Sequence, residues 1–193
     1  GNNDSGTDST LFGKNAGDSI TAGGYYNTAF GTSAAQDTTT GDRNTAIGSF
    51  ALYRNVTGGE NTAIGADSMG NNSGGTDGGS NTAVGAYSLY DITGGDRNVA
   101  VGVAAGENLT TGNDNIFIGN FAGNDTNGSK AVIIGNYAGD DNSPTNAVVI
   151  GYAAGRVING ENTTAVGYNA LKVATEPDNT AVGAYALQAL VDG

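Results

Sequence analysis

Six carboxylates recur at equivalent places in the 193-residue chain: Asp42, Glu60, Asp96, Asp114, Glu161 and Asp178, each one or two residues ahead of an Asn. Two such groups at a suitable separation are the minimum for glycoside hydrolysis, one as acid and one as nucleophile or base. Clustered oxygens also suit Ca²⁺. The chain has no His and no Cys, which removes the usual Ser-His and Cys-His nucleophile pairs and His/Cys zinc sites. The six acids share a turn-like context of Asn and Gly, where short polar side chains bond the local backbone. Turn chemistry is therefore the expectation. No catalytic residue, metal ligand or cofactor site is assigned; a structural Ca²⁺ is the one cofactor these oxygens would suit. The nonapeptide period of calcium-binding solenoids is missing.

A second set of residues suits binding. Tyr87, Tyr137 and Tyr185 each stand two positions after the Gly of a recurring Ile/Val/Phe-Gly step, among Asn and Asp. Tyr presents an apolar ring and a polar tip, so these three are candidate ligand contacts, against the plainer expectation that they pack between coils or chains.

What would position such residues is a repeat. Taking the Gly that follows each Ile, Val or Phe as zero, the anchors are Gly13, Gly31, Gly48, Gly65, Gly85, Gly102, Gly119, Gly135, Gly151, Gly167 and Gly183. The spacing is 16 to 20 residues. Periodicity overrides composition here: few large apolar residues and a net charge of −12 would alone suggest disorder, whereas a fixed period signals stacked units that bury one another. Period-2 patterning and Gly punctuation predict an all-β fold, a parallel β-solenoid of about eleven coils. Residues 1–8 read as a linker or frayed start, and 9–193 as the solenoid.

The columns predict the faces. Position −1 holds Phe30, Ile47, Ile64, Val84, Val101, Ile118, Ile134, Ile150, Val166 and Val182. Large apolar residues favour burial, so this column is expected to be the core, with the Thr/Val/Ile column at −3 on the same side. That inward placement argues against an ice-binding surface, which needs a flat, exposed Thr array. Position −2, usually Ala, then faces out. Phe117, Ile133 and Val149 replace it in three consecutive coils, and an outward apolar stripe would be the interface between chains. A column of Asn at −4, including Asn44, Asn61, Asn81 and Asn98, is expected to bond coil to coil. Leu or Met at +4 in some coils and Gly in others defines two subtypes. The longest insertion is residues 70–80, expected as a surface loop. Acidic balance argues against nucleic acid as a partner, and no apolar run is long enough for membrane insertion. The only Met is Met69, so a fragment or processed piece is expected.

The phrases "NTAIGSFAL", "NTAVGAYSL", "TTAVGYNALKVAT" and "NTAVGAYALQAL" resemble repeats of bacteriophage tail fibres and the head repeats of trimeric autotransporter adhesins, over about residues 9–190. The adhesin resemblance implies a left-handed parallel β-roll, three chains side by side, and binding to host surfaces; it carries over no catalytic residue. The steps here exceed those of adhesin heads, and Thr often stands where they have Val. The expectation is a non-enzymatic segment of a homotrimeric tail fibre, extracellular on the virion, that spaces or presents a surface for a host glycan or protein. A bacterial adhesin head on the cell surface and a polysaccharide-degrading tailspike are the alternatives.

Overall fold

The computed structural model describes residues 8–20, 23–70, 78–140, 144–158, 161–174 and 176–190. Most of the expected linker and residues 71–77 of the insertion lie outside these. Short strands recur once per repeat: β1 (Thr10–Phe12), β2 (Thr28–Phe30), β3 (Thr45–Ile47), β4 (Thr62–Ile64), β5 (Thr82–Val84), β6 (Val99–Val101), β7 (Ile116–Ile118), β8 (Val132–Ile134), β9 (Val148–Ile150), β11 (Thr164–Val166) and β13 (Thr180–Val182). They form one parallel 11-stranded sheet, in register from Thr10 opposite Thr28 to Val166 opposite Val182. β10 (Val157–Ile158), β12 (Val173–Ala174) and β14 (Ala189–Leu190) make a second, 3-stranded parallel sheet. The chain is thus an all-β parallel solenoid, of about nine turns. The count falls slightly below the eleven coils of the repeat: β1 and β13 each have a neighbour on one side only.

The anchor glycines stack. Gly48 has φ of +138°, and a Cβ there would run into the carbonyl of Gly65 in the next coil. Only Gly meets both demands, left-handed backbone and close approach. Each coil then bends back through further left-handed positions at +2 and +4, such as Phe50 and Leu52. Backbone bonds there run alternately to the two neighbouring coils: Phe50 N–H donates to Thr32 O, and Leu52 N–H donates to Ser68 O, both at 2.9 Å. Turn backbone is thereby paired without regular strand structure, as burial requires.

The inward and outward faces are opposite to the sequence expectation. In every strand of the large sheet the middle residue, position −2, is buried and its two neighbours are exposed or half-buried. The expected core column faces out: Ile47 is 39% exposed, Ile64 36% and Val182 69%, Phe30, Val101 and Ile118 are exposed, and Val84, Ile134, Ile150 and Val166 are half-buried. The expected interface residues Phe117, Ile133 and Val149 are fully buried. A one-residue slip exchanges every side chain between faces. The physical reason lies in the bore of the roll, which is narrow. Ala46, Ala63, Ala83 and Ala100 meet small residues at +3, including Ala51, Ser68, Ser88 and Ala105, all fully buried.

In most coils volume inside the roll is traded between positions −2 and +4; Ala29 with Ala35 and Ala100 with Gly106 depart from this, and the space beside Gly106 is taken by Phe117 and Leu89 of the adjacent coils. Where −2 is Ala, as at Ala46, Ala63, Ala83 and Ala165, position +4 is Leu52, Met69, Leu89 or Leu171, all buried. Where −2 is large, +4 is Gly: a Cβ on Gly17 would meet Leu11, on Gly123 Phe117, on Gly139 Ile133, and on Gly155 Val149. The two coil subtypes are therefore two ways of filling one cross-section at close-packed density.

The Asn column behaves as expected. Asn44, Asn61, Asn81, Asn98 and Asn115 are buried. Each Oδ1 from Asn27 to Asn98 accepts the backbone N–H of the next Asn at 2.9–3.0 Å. Each Nδ2 donates to a Gly carbonyl across the turn, as Asn98 does to Gly112 at 2.9 Å. The ladder ends where Asn115 Oδ1 accepts from Ala131 N–H; the next coils have Ala131 and Ala147 in place of Asn.

Candidate functional site

Two surface features follow from this frame. The first is the outer face of the large sheet. Positions −1 and −3 lie on the same side of each strand, so their columns run together along eleven parallel strands. With rungs about 4.8 Å apart, the strip is roughly 50 Å long. At one end the rings of Phe12 and Phe30 stack at 4.9 Å. In the middle, Val99, Ile116, Val132 and Val148 take the −3 position, and the face is apolar in both columns. Elsewhere −3 is Thr. The Thr column is thus outward, and the argument that placed it inside, against an ice surface, falls with the reversal of faces.

The second feature is an aromatic run beside the bend. Phe121, Tyr137, Tyr152, Tyr168 and Tyr185 contact one another in sequence, with ring centroids 5.3, 6.1, 5.4 and 5.2 Å apart. Phe121 and Tyr137 are parallel within 3°, Tyr152 and Tyr168 within 11°. Of the three Tyr singled out in the sequence, Tyr137 and Tyr185 belong to this run. Tyr87 does not: it packs edge-on against Tyr90 at 5.7 Å. Tyr152 and Tyr168 were missed as candidates because they stand at +1 while the others stand at +2. The left-handed backbone at +2 (Tyr137 φ 56°, Tyr185 φ 59°) lets both positions feed one ladder. The signal was an aromatic in every coil from Phe121 onward.

Beside the run lies an open hollow of about 430 Å³, lined by Tyr137, Tyr152, Ala153, Arg156, Asn169 and Lys172. Arg156 and Lys172 occupy the same repeat position, +5, on adjacent coils, and Val157 N–H donates to Lys172 O between them at 2.9 Å. Arg156 Nε stands 3.7 Å from Asp140 Oδ2, one coil back in the same column.

The six turn carboxylates are spread along the roll and serve the turns. Asp42 Oδ1 accepts Tyr25 N–H and Asp96 Oδ1 accepts Gly79 N–H, each at 2.8 Å. Asp114 accepts from Arg97 Nε at 2.6 Å, and that hydrogen bond, with the guanidinium charge, holds its carboxyl below the usual range. The carboxyls pushed upward are others: Asp67 and Asp91 by burial, and Glu107 by burial and then by the charges of Asp91 and Asp125. Asp67 stands in the bend, and Asp91 and Glu107 on the stretch just after it; none of the three was singled out from the sequence.

No family model matches the chain, and no curated protein matches it.

Proposed function

We propose that the chain is a non-enzymatic structural and adhesive segment of a trimeric phage tail fibre, which spaces or presents a surface for a host glycan or protein. One observation carries the assembly part of this reading: the large apolar residues of the repeat stand on the outer face of the 11-stranded sheet. Soluble monomers rarely expose a contiguous apolar strip of such length. Packing three such faces around an axis buries the −1 column that one chain leaves bare. The tail-fibre part rests on the resemblance of the NTA[IV]G phrases, and with it an extracellular location on the virion. The same architecture serves a bacterial adhesin head, and a tailspike that degrades polysaccharide is the enzymatic alternative. No cofactor enters the proposal.

Sedimentation equilibrium tests it. The expected mass is three times the 19.0 kDa of the chain, unchanged on dilution to micromolar concentration. A monomer overturns the assembly. Incubation with purified host polysaccharide tests the tailspike alternative, since release of reducing ends would establish hydrolysis. A second reading draws on the outward Thr28, Thr45, Thr62 and Thr82, an array of the kind that meets ice. It requires the face to be bare, so a monomer that shows thermal hysteresis would select it.

A further inference from the structure

We propose that the aromatic run and the two cations beside it form a binding site for an acidic oligosaccharide, a chain of uronate or sialate units. The proposal deepens the surface-binding reading and rests on it for the class of partner.

Charge is the first argument. The chain carries 7 Lys and Arg against 19 Asp and Glu. Against that background, Arg156 and Lys172 stand at one repeat position on consecutive coils, and the six residues lining the hollow include no carboxylate. The same position holds Asp18, Gln36, Glu107, Asn124, Asp140 and Gln188 in other coils, so the repeat itself does not call for a cation. Like charges on neighbouring rungs repel. Asp140 pairs with Arg156 from one side, and no ion pair reaches Lys172 among the described residues. An anion seated between the two would offset the repulsion.

Shape is the second argument. Four Tyr rings follow one another along the rod at spacings of 5.2–6.1 Å, Tyr152 and Tyr168 face to face and the other steps edge-on, so the run offers a line of ring edges with faces left open at its edge-on steps. All four are exposed. The C–H face of a pyranose is apolar and packs on such rings, while its hydroxyls need hydrogen-bond partners, which the Tyr tips and Asn169 in the hollow supply. A flexible strand of sugars along the ladder brings successive carboxylates past Arg156 and Lys172, whose donors suit carboxylate oxygens. Single-stranded nucleic acid shares the need for rings and cations, and a tetranucleotide in the same titration separates it from the acidic sugars.

The test is calorimetric titration of the assembled protein with tetragalacturonate, tetrasialate and maltotetraose, and with a thymidine tetranucleotide, at two salt concentrations. The expected result is binding of one of the two acidic sugars, at least tenfold tighter than maltotetraose and weaker at higher salt; which one binds identifies the source. Lys172→Gln should remove that preference, and Tyr152→Ala should weaken binding at least tenfold. Tyr87→Ala should leave it unchanged, as Tyr87 lies on a separate ring pair. All three variants should keep the wild-type mass and circular dichroism. Lys172→Gln alone carries the charge argument if Tyr152→Ala misfolds. Equal binding of maltotetraose, tighter binding of the tetranucleotide, or no acidic sugar binding to protein of native mass overturns the site. A monomer that still binds the acidic sugar overturns the trimer while leaving the site in place.

Discussion

The ring of Phe117 occupies the place where a side chain of Gly123 would stand: a Cβ built on Gly123 falls 2.6 Å from Phe117 Cδ1. Five coils of the repeat put the bulk at the other end of this pair, as Ala83 and Leu89 do. Two residues that are six apart in sequence therefore share one volume. Phe117→Ala should empty it, at a cost of about 3–5 kcal/mol. Gly123→Leu should overpack it and also place Leu in a left-handed conformation, though Leu89 adopts that conformation at φ 48°. The double variant rebuilds the Ala83–Leu89 arrangement. Its thermal midpoint should lie above that of either single variant, a coupling that a double-mutant cycle measures directly. A double variant whose losses simply add would show that the pair does not share a cavity.

The reversal of faces gives an equally sharp contrast between adjacent residues. Ala63 is fully buried, and Ile64 is exposed. Ala63→Asp places a carboxylate in a bore with no room or partner for it, and should abolish cooperative folding or lower the midpoint severely. Ile64→Asp should leave the circular dichroism of the chain intact and shift its mass toward the monomer. Unfolding by Ile64→Asp together with a benign Ala63→Asp would restore the inward assignment of the large residues.

The period, the strand positions, the stacking Gly and the Asn ladder were all legible in the sequence, because each is a demand of one coil on the next. The direction of the side chains was not. Alternation separates Ile64 from Ala63 but does not say which is inside, and the usual preference for burying the larger residue fails where Leu or Met at +4, here Met69, already fills the interior. The information was present in another form. Large residues at −2, such as Phe117 and Ile133, coincide with Gly at +4, and Ala at −2 with Leu or Met in five of its seven coils, a compensation that facing interior positions require. The aromatic run was half legible: Tyr137 and Tyr185 stood out at +2, but that Tyr152 and Tyr168 at +1 share their surface follows from backbone dihedrals. The Arg156–Lys172 pair becomes visible only when position +5 is read as a column.

Asn98 makes its coil dependent on both neighbours. Its Oδ1 accepts from the backbone N–H and the Nδ2 of Asn115, and its Nδ2 donates to Gly112 O and Asn81 Oδ1. Asn98→Ala leaves buried groups on two adjacent coils unpaired, at about 1–3 kcal/mol for each group. Asn98→Asp keeps the acceptor and loses the donors, and it buries a charge. It should be the more damaging change at neutral pH and should recover partly in acid, as the carboxyl protonates. Thermal melts of both variants at two pH values check this; an Asp variant as stable as wild type at neutral pH would sink the ladder argument.

The pH dependence of the wild type follows from the carboxyls in and just after the bend. Burial raises Asp67, Asp91 and Glu107, and Glu107 is raised further by Asp91 and Asp125 nearby. For a carboxyl raised on folding, the native state binds its proton more tightly than the unfolded chain does. The stability it contributes is fully present below the unfolded pKa and is lost as pH rises through the folded value. Asp114 has the opposite sign, since Arg97 lowers it. Its contribution is present above the ordinary carboxylate range and is lost only in stronger acid. Asp114 is fully exposed, so solvent screens it, and the three raised groups should dominate. Acidification also relieves the self-repulsion of a chain with net charge −12. The thermal midpoint should therefore rise between neutral pH and about pH 5, just above the ordinary carboxylate range. Added salt at neutral pH should produce part of the same rise by screening Asp91, Glu107 and Asp125 from one another. Glu107→Gln should raise the midpoint at neutral pH and flatten its pH dependence. Melts at matched ionic strength decide the matter, and a midpoint that falls steadily from neutral pH to about pH 5 would show that these carboxyls are not held in their charged form at a cost.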